Sequence, residues 1–192
     1  MKIGLYFGSF NPIHIGHLII GNHIAAYTEL EQVWFVVSPQ NPLKKSSSLL
    51  NEYHRLHLVQ LAVEDSANLK ASNIEFKLPR PSYTINTLTY LSEKYPDNFF
   101  TVIMGSDSYQ NLPKWKNYEQ LLNNYSILVY KRPGFEVAIT HENVNIINAP
   151  LLEISSTSIR AAIKEGKSIK YLLPEAVKDE IERTGYYKSV NL

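Results

Sequence analysis

Three near-continuous apolar runs constrain the fold of this chain more than any other feature: "VWFVVS" at Val33–Ser38, "FFTVIMG" at Phe99–Gly105 and "SILVYK" at Ser126–Lys131. A strand with one wet face alternates apolar and polar residues, whereas a run without alternation has to be covered on both faces. Where such strands take turns with helices, the cover comes from helices above and below a parallel sheet. Helical spacing does separate them here. Ile15, Leu18, Ile19 and Asn22 recur within a helix predicted over Ile15–Tyr27, a second helix is predicted from Asn51 to Ser66, and a third from Thr84 to Lys94 stops before Pro96. The predicted class is therefore α/β with a doubly wound parallel sheet, and "VWFVVS" is expected at its centre. Ile3–Phe7, Ile74–Lys77 and Val144–Ile147 complete the predicted strands.

The last third of the chain punctuates its helices clearly. In "ISSTSIRAAIKEG", Ser155 or Ser156 offers an N-cap, Ile159, Ala162 and Ile163 an apolar face, and Gly166 a left-handed terminator. In "LPEAVKDEIERTG", Pro174 is expected in the first turn and Gly185 past the end. These two form a small C-terminal helical part. No break in composition marks a linker, so residues 1–192 are read as one domain. With no cysteine, disulfides and thiolate metal sites are excluded, and a net charge of +1 supplies no field that would attract nucleic acid. No run approaches the about 18 apolar residues of a membrane span. The opening "MKIGLYFGSF" is too short in apolar residues for a secretory signal, so cytoplasmic residence is expected. Amphipathic helices here could cover a core or another copy equally well, which leaves a homo-oligomer open.

The first predicted strand runs into "GSFNPIHIGH", Gly8 to His17. A glycine turn between a strand's carboxyl end and a helix aims backbone N–H groups and the positive helix end at one point, where an anion such as phosphate can sit. Neither GxGxxG nor GxxxxGK[ST] is present. Instead, His14 and His17 stand three apart on one helix face, and Gly16 between them removes a side chain. Taken alone, an H-x-x-H pair is more often two ordinary surface or half-buried histidines. A zinc reading is weaker still, for want of further ligands nearby. The strand and Gly-Ser turn ahead of the pair favour phosphate chemistry.

"GSFNPIHIGH" resembles the nucleotide-binding signature of the nucleotidyltransferase superfamily, His14-Ile15-Gly16-His17 standing as its [T/H]-x-G-H motif, and "ISSTSIR" resembles its second signature. "PSYTINTL", "MGSDSYQNLPKWKNYEQLL" and "YKRPG" make the chain similar, from end to end, to the nicotinate mononucleotide adenylyltransferase family. The resemblance implies a Rossmann-like fold of nucleotidyltransferase type and transfer of AMP from ATP to nicotinate mononucleotide, with deamido-NAD and pyrophosphate as products. It implies that His14 and His17 hold the ATP phosphates and that Gly8, Ser9 and Phe10 offer backbone donors, with Gly16 leaving room. Ser156, Thr157 and Arg160 would grip the outer phosphates, and Mg²⁺ would bridge triphosphate oxygens with no metal cage from the protein. Asp107 would meet ribose hydroxyls, or act as a helix N-cap. For the mononucleotide, the resemblance implies Trp115 stacked on the pyridine ring, and Thr84 with the backbone at Trp115 and Lys116 donating to the carboxylate. Ser9 and a lysine of the loop "PQNPLKKSSS", assigned to Lys44 with Lys45 beside it, complete that set. His54 and His57 are read as surface or packing residues, a phosphate contact by Arg55 is raised but not assigned, and Lys131 and Arg132 either border the ATP site or end a solvated strand. Phosphopantetheine as acceptor, and nucleotide sensing without turnover, are the competing functions. "LPKW" and "PSYT" argue against the first, and the intact His14, His17 and Arg160 against the second.

Overall fold

The computed structural model describes residues 1–40, 49–137 and 141–188. Strand β1 (Lys2–Gly8) is followed by helix α1 (Ile15–Tyr27), β2 (Gln32–Val37), α2 (Glu52–Val63) and β3 (Leu69–Ser72). A 3₁₀ turn at Ile74–Lys77 then leads to α3 (Thr84–Lys94) and β4 (Phe99–Gly105). After β4 come α4 (Ser106–Gln110), a 3₁₀ turn at Leu112–Lys114, α5 (Tyr118–Asn124), β5 (Ser126–Tyr130) and β6 (Val144–Ile147). Helices α6 (Ser156–Lys164) and α7 (Glu175–Thr184) close the order.

The strands form one six-stranded sheet in the order β3-β2-β1-β4-β5-β6, and every pairing is parallel. The pleat sorts its residues between two cores. Tyr6, Phe35, Ile103 and Leu128 pack beneath α1, α2, α6 and α7 on one face. Leu5, Val102, Met104 and Val129 pack beneath α3 and α5 on the other. The doubly wound arrangement predicted from unalternated strands is the one observed. The chain builds outward from β1 to β3, then returns to the opposite side of β1 with β4, so a crevice opens at the carboxyl ends of those two strands.

Three local expectations are corrected. β2 has a neighbour on each side but lies next to the edge, the centre being β1 and β4. The segment Ile74–Lys77 is a 3₁₀ turn rather than a strand, and the edge strand is Leu69–Ser72. "IEFK" alternates like a strand, yet the buried residues are the adjacent Ile74 and Glu75, which a tight turn can present together. "LKAS" pairs with β2 despite lacking any β-branched or aromatic side chain. Pro174 is the N-cap residue of α7 rather than part of its first turn. Elsewhere the punctuation matches the structure. Ser155 caps α6 by accepting the Ser158 N–H at 3.1 Å, and Gly166 and Gly185 end their helices with φ of 67° and 71°.

Candidate active site

The corner after β1 is held by its own packing. Phe10 has φ 43°, a left-handed conformation that costs a non-glycine residue on the order of 1–3 kcal/mol. Its ring, 2% exposed, makes edge-on contacts with Tyr6, Phe35 and His17, with centroids 5.9, 5.5 and 5.1 Å away. Gly8 is required beside it, because a Cβ there would stand 2.7 Å from the Phe10 ring.

His14 is the N-cap residue of α1 and is 6% exposed, with its ring stacked on that of His17 at a centroid distance of 3.7 Å. Burial first, and then the positive charge of Arg132, lower its pKa to about 4, so the ring is neutral at pH 7. Its Nδ1 is enclosed within the protein rather than open to solvent. The His14 backbone N–H donates to His17 Nδ1 at 3.3 Å, which assigns the His17 proton to Nε2 and makes that atom a donor. A Cβ on Gly16 would lie 3.1 Å from the His14 ring, so glycine keeps this side of the pair open.

The second signature comes to the same corner although it lies about 140 residues further along the chain. Ser156 donates its hydroxyl to the Pro12 carbonyl at 2.8 Å, and Arg160 Nη1 donates to the Asn11 carbonyl at 2.7 Å. Arg160 Nη2 lies 3.4 Å from the Thr157 hydroxyl. Thus α6 brings a helix N-terminus and a guanidinium against the turn that begins α1. Asp107 is a first-turn residue of α4, and Gly105 occupies the N-cap position expected of it. The Asp107 carboxylate pairs with Arg132 at 3.4 Å, and Arg132 also donates its backbone N–H to Ser106 and one guanidinium N–H to the Tyr130 hydroxyl. Behind them, the buried Tyr6 and Tyr130 hydroxyls are 3.0 Å apart. Arg132 is exposed, beside Asp107 and near enough for its charge to act on His14.

A second group of predicted residues gathers where α3 begins. Thr84 is the first residue of α3, where backbone N–H groups have no intrahelical acceptor. Lys116 Nζ sits 4.6 Å over the Tyr83 ring, which ties the "LPKW" segment to this helix start, and Trp115 is half-buried against the same core. One expectation fails: the Trp115 N–H is taken by the Leu112 carbonyl at 2.8 Å, because Leu112–Lys114 winds as a 3₁₀ turn. Lys44 and Lys45 lie outside the described residues. Among the described residues, no three His, Cys, Asp or Glu side chains converge as a metal site. No helix among them is long and apolar enough to cross a membrane.

His54 and His57 are exposed residues on the outer side of α2, each with one partner from the C-terminal part of the chain. His54 Nδ1 is 2.8 Å from the Tyr186 hydroxyl, and His57 Nε2 is 3.7 Å from Glu180. Arg55 does not reach the surface at all. It is 0% exposed and donates to backbone carbonyls, including that of Ser9 in the phosphate corner. The missed signal was its spacing, since Arg55 shares the inward stripe of α2 with Leu58 and Val59.

A parallel doubly wound sheet with a G-S-F corner, an HxGH helix start and an arginine-bearing helix laid across it defines an α/β nucleotidyltransferase. The sequence model of the cytidylyltransferase-like family matches residues 5–162. The chain is 55% identical to a Flavobacterium psychrophilum protein over 98% of its own length and 100% of the relative's, and 53% identical to one from Flavobacterium johnsoniae over the same shares. Both bear the name "Probable nicotinate-nucleotide adenylyltransferase". The chain belongs to the cytidylyltransferase-like family and, within it, to the nicotinate-nucleotide adenylyltransferases. In fold it is similar to the nicotinic acid mononucleotide adenylyltransferase of Plasmodium falciparum in complex with NaAD, with a TM-score of 0.83 over 97% of each chain at 21% identity. A Vibrio parahaemolyticus protein described as a nicotinate-nucleotide adenylyltransferase superposes with a TM-score of 0.74, over 98% of this chain and 96% of that one, also at 21% identity.

Proposed function

We propose that this protein transfers AMP from ATP to nicotinate mononucleotide, in the cytoplasm where ATP is held, giving deamido-NAD and pyrophosphate. A phosphate oxygen of the mononucleotide attacks the α-phosphorus of ATP, the bond from that phosphorus to the bridging oxygen breaks, and pyrophosphate leaves with the electron pair. The protein supplies no nucleophile. Its work is to hold two anions in line and to meet the charge that develops on the triphosphate.

The observation that carries this reading is the neutral, buried His14 stacked on His17 at the amino end of α1, with Arg160 bound to the same turn through Asn11. In this assignment His17 Nε2–H donates to a phosphate oxygen as charge builds, and the neutral His14 donates its imidazole N–H to the same anion. Backbone donors of the Gly8–Phe10 corner, with Ser156, Thr157 and Arg160, receive the outer phosphates, while Asp107 accepts from ribose. Magnesium would come with ATP and would neutralise triphosphate charge, and no residue of this chain is assigned to hold it.

At the other subsite, Trp115 stacks on the pyridine ring and Thr84 leads the first-turn N–H groups of α3, which favour a carboxylate over a carboxamide. Lys44 and Ser9 are assigned to the mononucleotide's phosphate. The test is pyrophosphate release from ATP and Mg²⁺ with nicotinate mononucleotide, nicotinamide mononucleotide and phosphopantetheine in turn. The expected order puts the nicotinate acceptor first by about tenfold or more over its amide. Preference for phosphopantetheine, or no release with any acceptor, contradicts the reading.

A further inference from the structure

Two buried charged residues are unused by the site described above, and they share a neighbour. Arg55 is 0% exposed, and its hydrogen bonds go to carbonyls: Nη1 to Ser9 and to Ser38 (2.9 Å), Nη2 to Pro39 (3.1 Å) and Nε to Leu50 (2.8 Å). Glu75 is 2% exposed and accepts from the hydroxyls of Ser82 at 2.8 Å and Thr87 at 3.0 Å, and the Ser38 side chain stands beside the same carboxyl and favours its charged form. Ser38 also donates its backbone N–H to the Gly8 carbonyl at 2.9 Å. The residue that follows β2 is thus held by the phosphate corner and by Arg55, and it faces Glu75.

Burying a guanidinium and a carboxylate without joining them as an ion pair is costly, and apolar side chains of similar volume would fill the space at lower cost. What the charged pair provides is direction. Arg55 fixes carbonyls from three separate segments: the turn after β1, the end of β2 and the residue before α2's cap. Glu75 ties the end of β2 to Ser82 of the "PSYT" loop and to Thr87 of α3. The contacts run unbroken from Ser9 to the helix that begins at Thr84.

We propose that Arg55 and Glu75 are positioning residues which, through Ser38, form a buried brace setting the span between the phosphate corner and the amino end of α3. The proposal rests on the function given above, since it takes those two ends as the ATP and mononucleotide subsites. The brace holds the acceptor's ring at the distance that in-line attack requires.

The test is steady-state kinetics of Glu75→Gln, Ser38→Ala, Arg55→Lys and the double Glu75→Gln/Ser38→Ala, varying ATP and nicotinate mononucleotide separately and working below each variant's unfolding midpoint. Glu75→Gln and Ser38→Ala are each expected to raise the mononucleotide KM about tenfold and to leave the ATP KM within about twofold, because misplacement by a fraction of an ångström suffices for such losses. The double variant is expected to lose less than the product of the singles, as members of one network do. Arg55→Lys should impair both KM values, since it serves the corner directly; if it does not fold, the other three variants decide. Unchanged KM values, equal changes for both substrates in the Glu75 and Ser38 variants, or full additivity would each overturn the brace while wild-type turnover leaves the function standing. A wild-type chain that releases no pyrophosphate overturns both.

Discussion

The imidazoles of His14 and His17 lie face to face, 3.7 Å between centroids and 27° from parallel. His14 is kept neutral by burial and then by Arg132, and His17, whose Nδ1 accepts from the His14 backbone, presents Nε2–H as the donor for a phosphate. Removing one preorganised donor of this kind costs on the order of 10²–10³ in turnover. His17→Ala is therefore expected to lower kcat by that factor with a smaller change in the ATP KM. Near-normal turnover would remove His17 from the reaction.

His14 also makes stability depend on pH. Its folded pKa of about 4 lies below the 6.5 usual for histidine, so between those values the unfolded chain binds a proton that the folded chain refuses. The contribution is complete above pH 6.5 and is lost as pH falls through 6.5 towards 4. Urea unfolding at pH 7 and pH 4 should differ by on the order of 3 kcal/mol more in the wild type than in His14→Asn. Equal pH dependence in the two proteins would show that His14 is not buried neutral.

Trp115 is assigned to the acceptor's ring, and stacking of an aromatic ring on a base is worth about 1–3 kcal/mol. Trp115→Ala should raise the nicotinate mononucleotide KM about tenfold or more and spare that of ATP. An effect on ATP alone would place Trp115 in the other subsite.

Gly8→Ala puts a Cβ 2.7 Å from the ring of Phe10, a buried residue with nowhere to move. Overpacking of this kind costs about 1–3 kcal/mol. The thermal midpoint should fall, and the ATP KM should rise because the corner itself is displaced. A variant with wild-type midpoint and KM would mean that the corner is slack.

Much of this architecture could be read from residues in order. The unalternated runs of β2, β4 and β5 required cover on both faces, and the cover is there. The Gly8 turn, the His14–His17 pair and the Ser155 cap are local patterns, and local patterns survive in sequence. What escaped was set by tertiary contact. β3 owes its strand to pairing with β2 rather than to its own residues. Arg55 and Glu75 carry charges that composition assigns to the surface, and only the convergence of carbonyls and hydroxyls around them explains their burial. The capture of the Trp115 N–H followed from a 3₁₀ turn whose residues give no clear signal.

A crystal structure of the protein with Mg²⁺ and a non-hydrolysable ATP analogue tests the central claim most directly. The account predicts triphosphate density at the β1–α1 corner, within hydrogen-bonding reach of the Ser9 or Phe10 backbone, His17 Nε2 and the Arg160 guanidinium. Triphosphate bound elsewhere, with those groups unengaged, would contradict it.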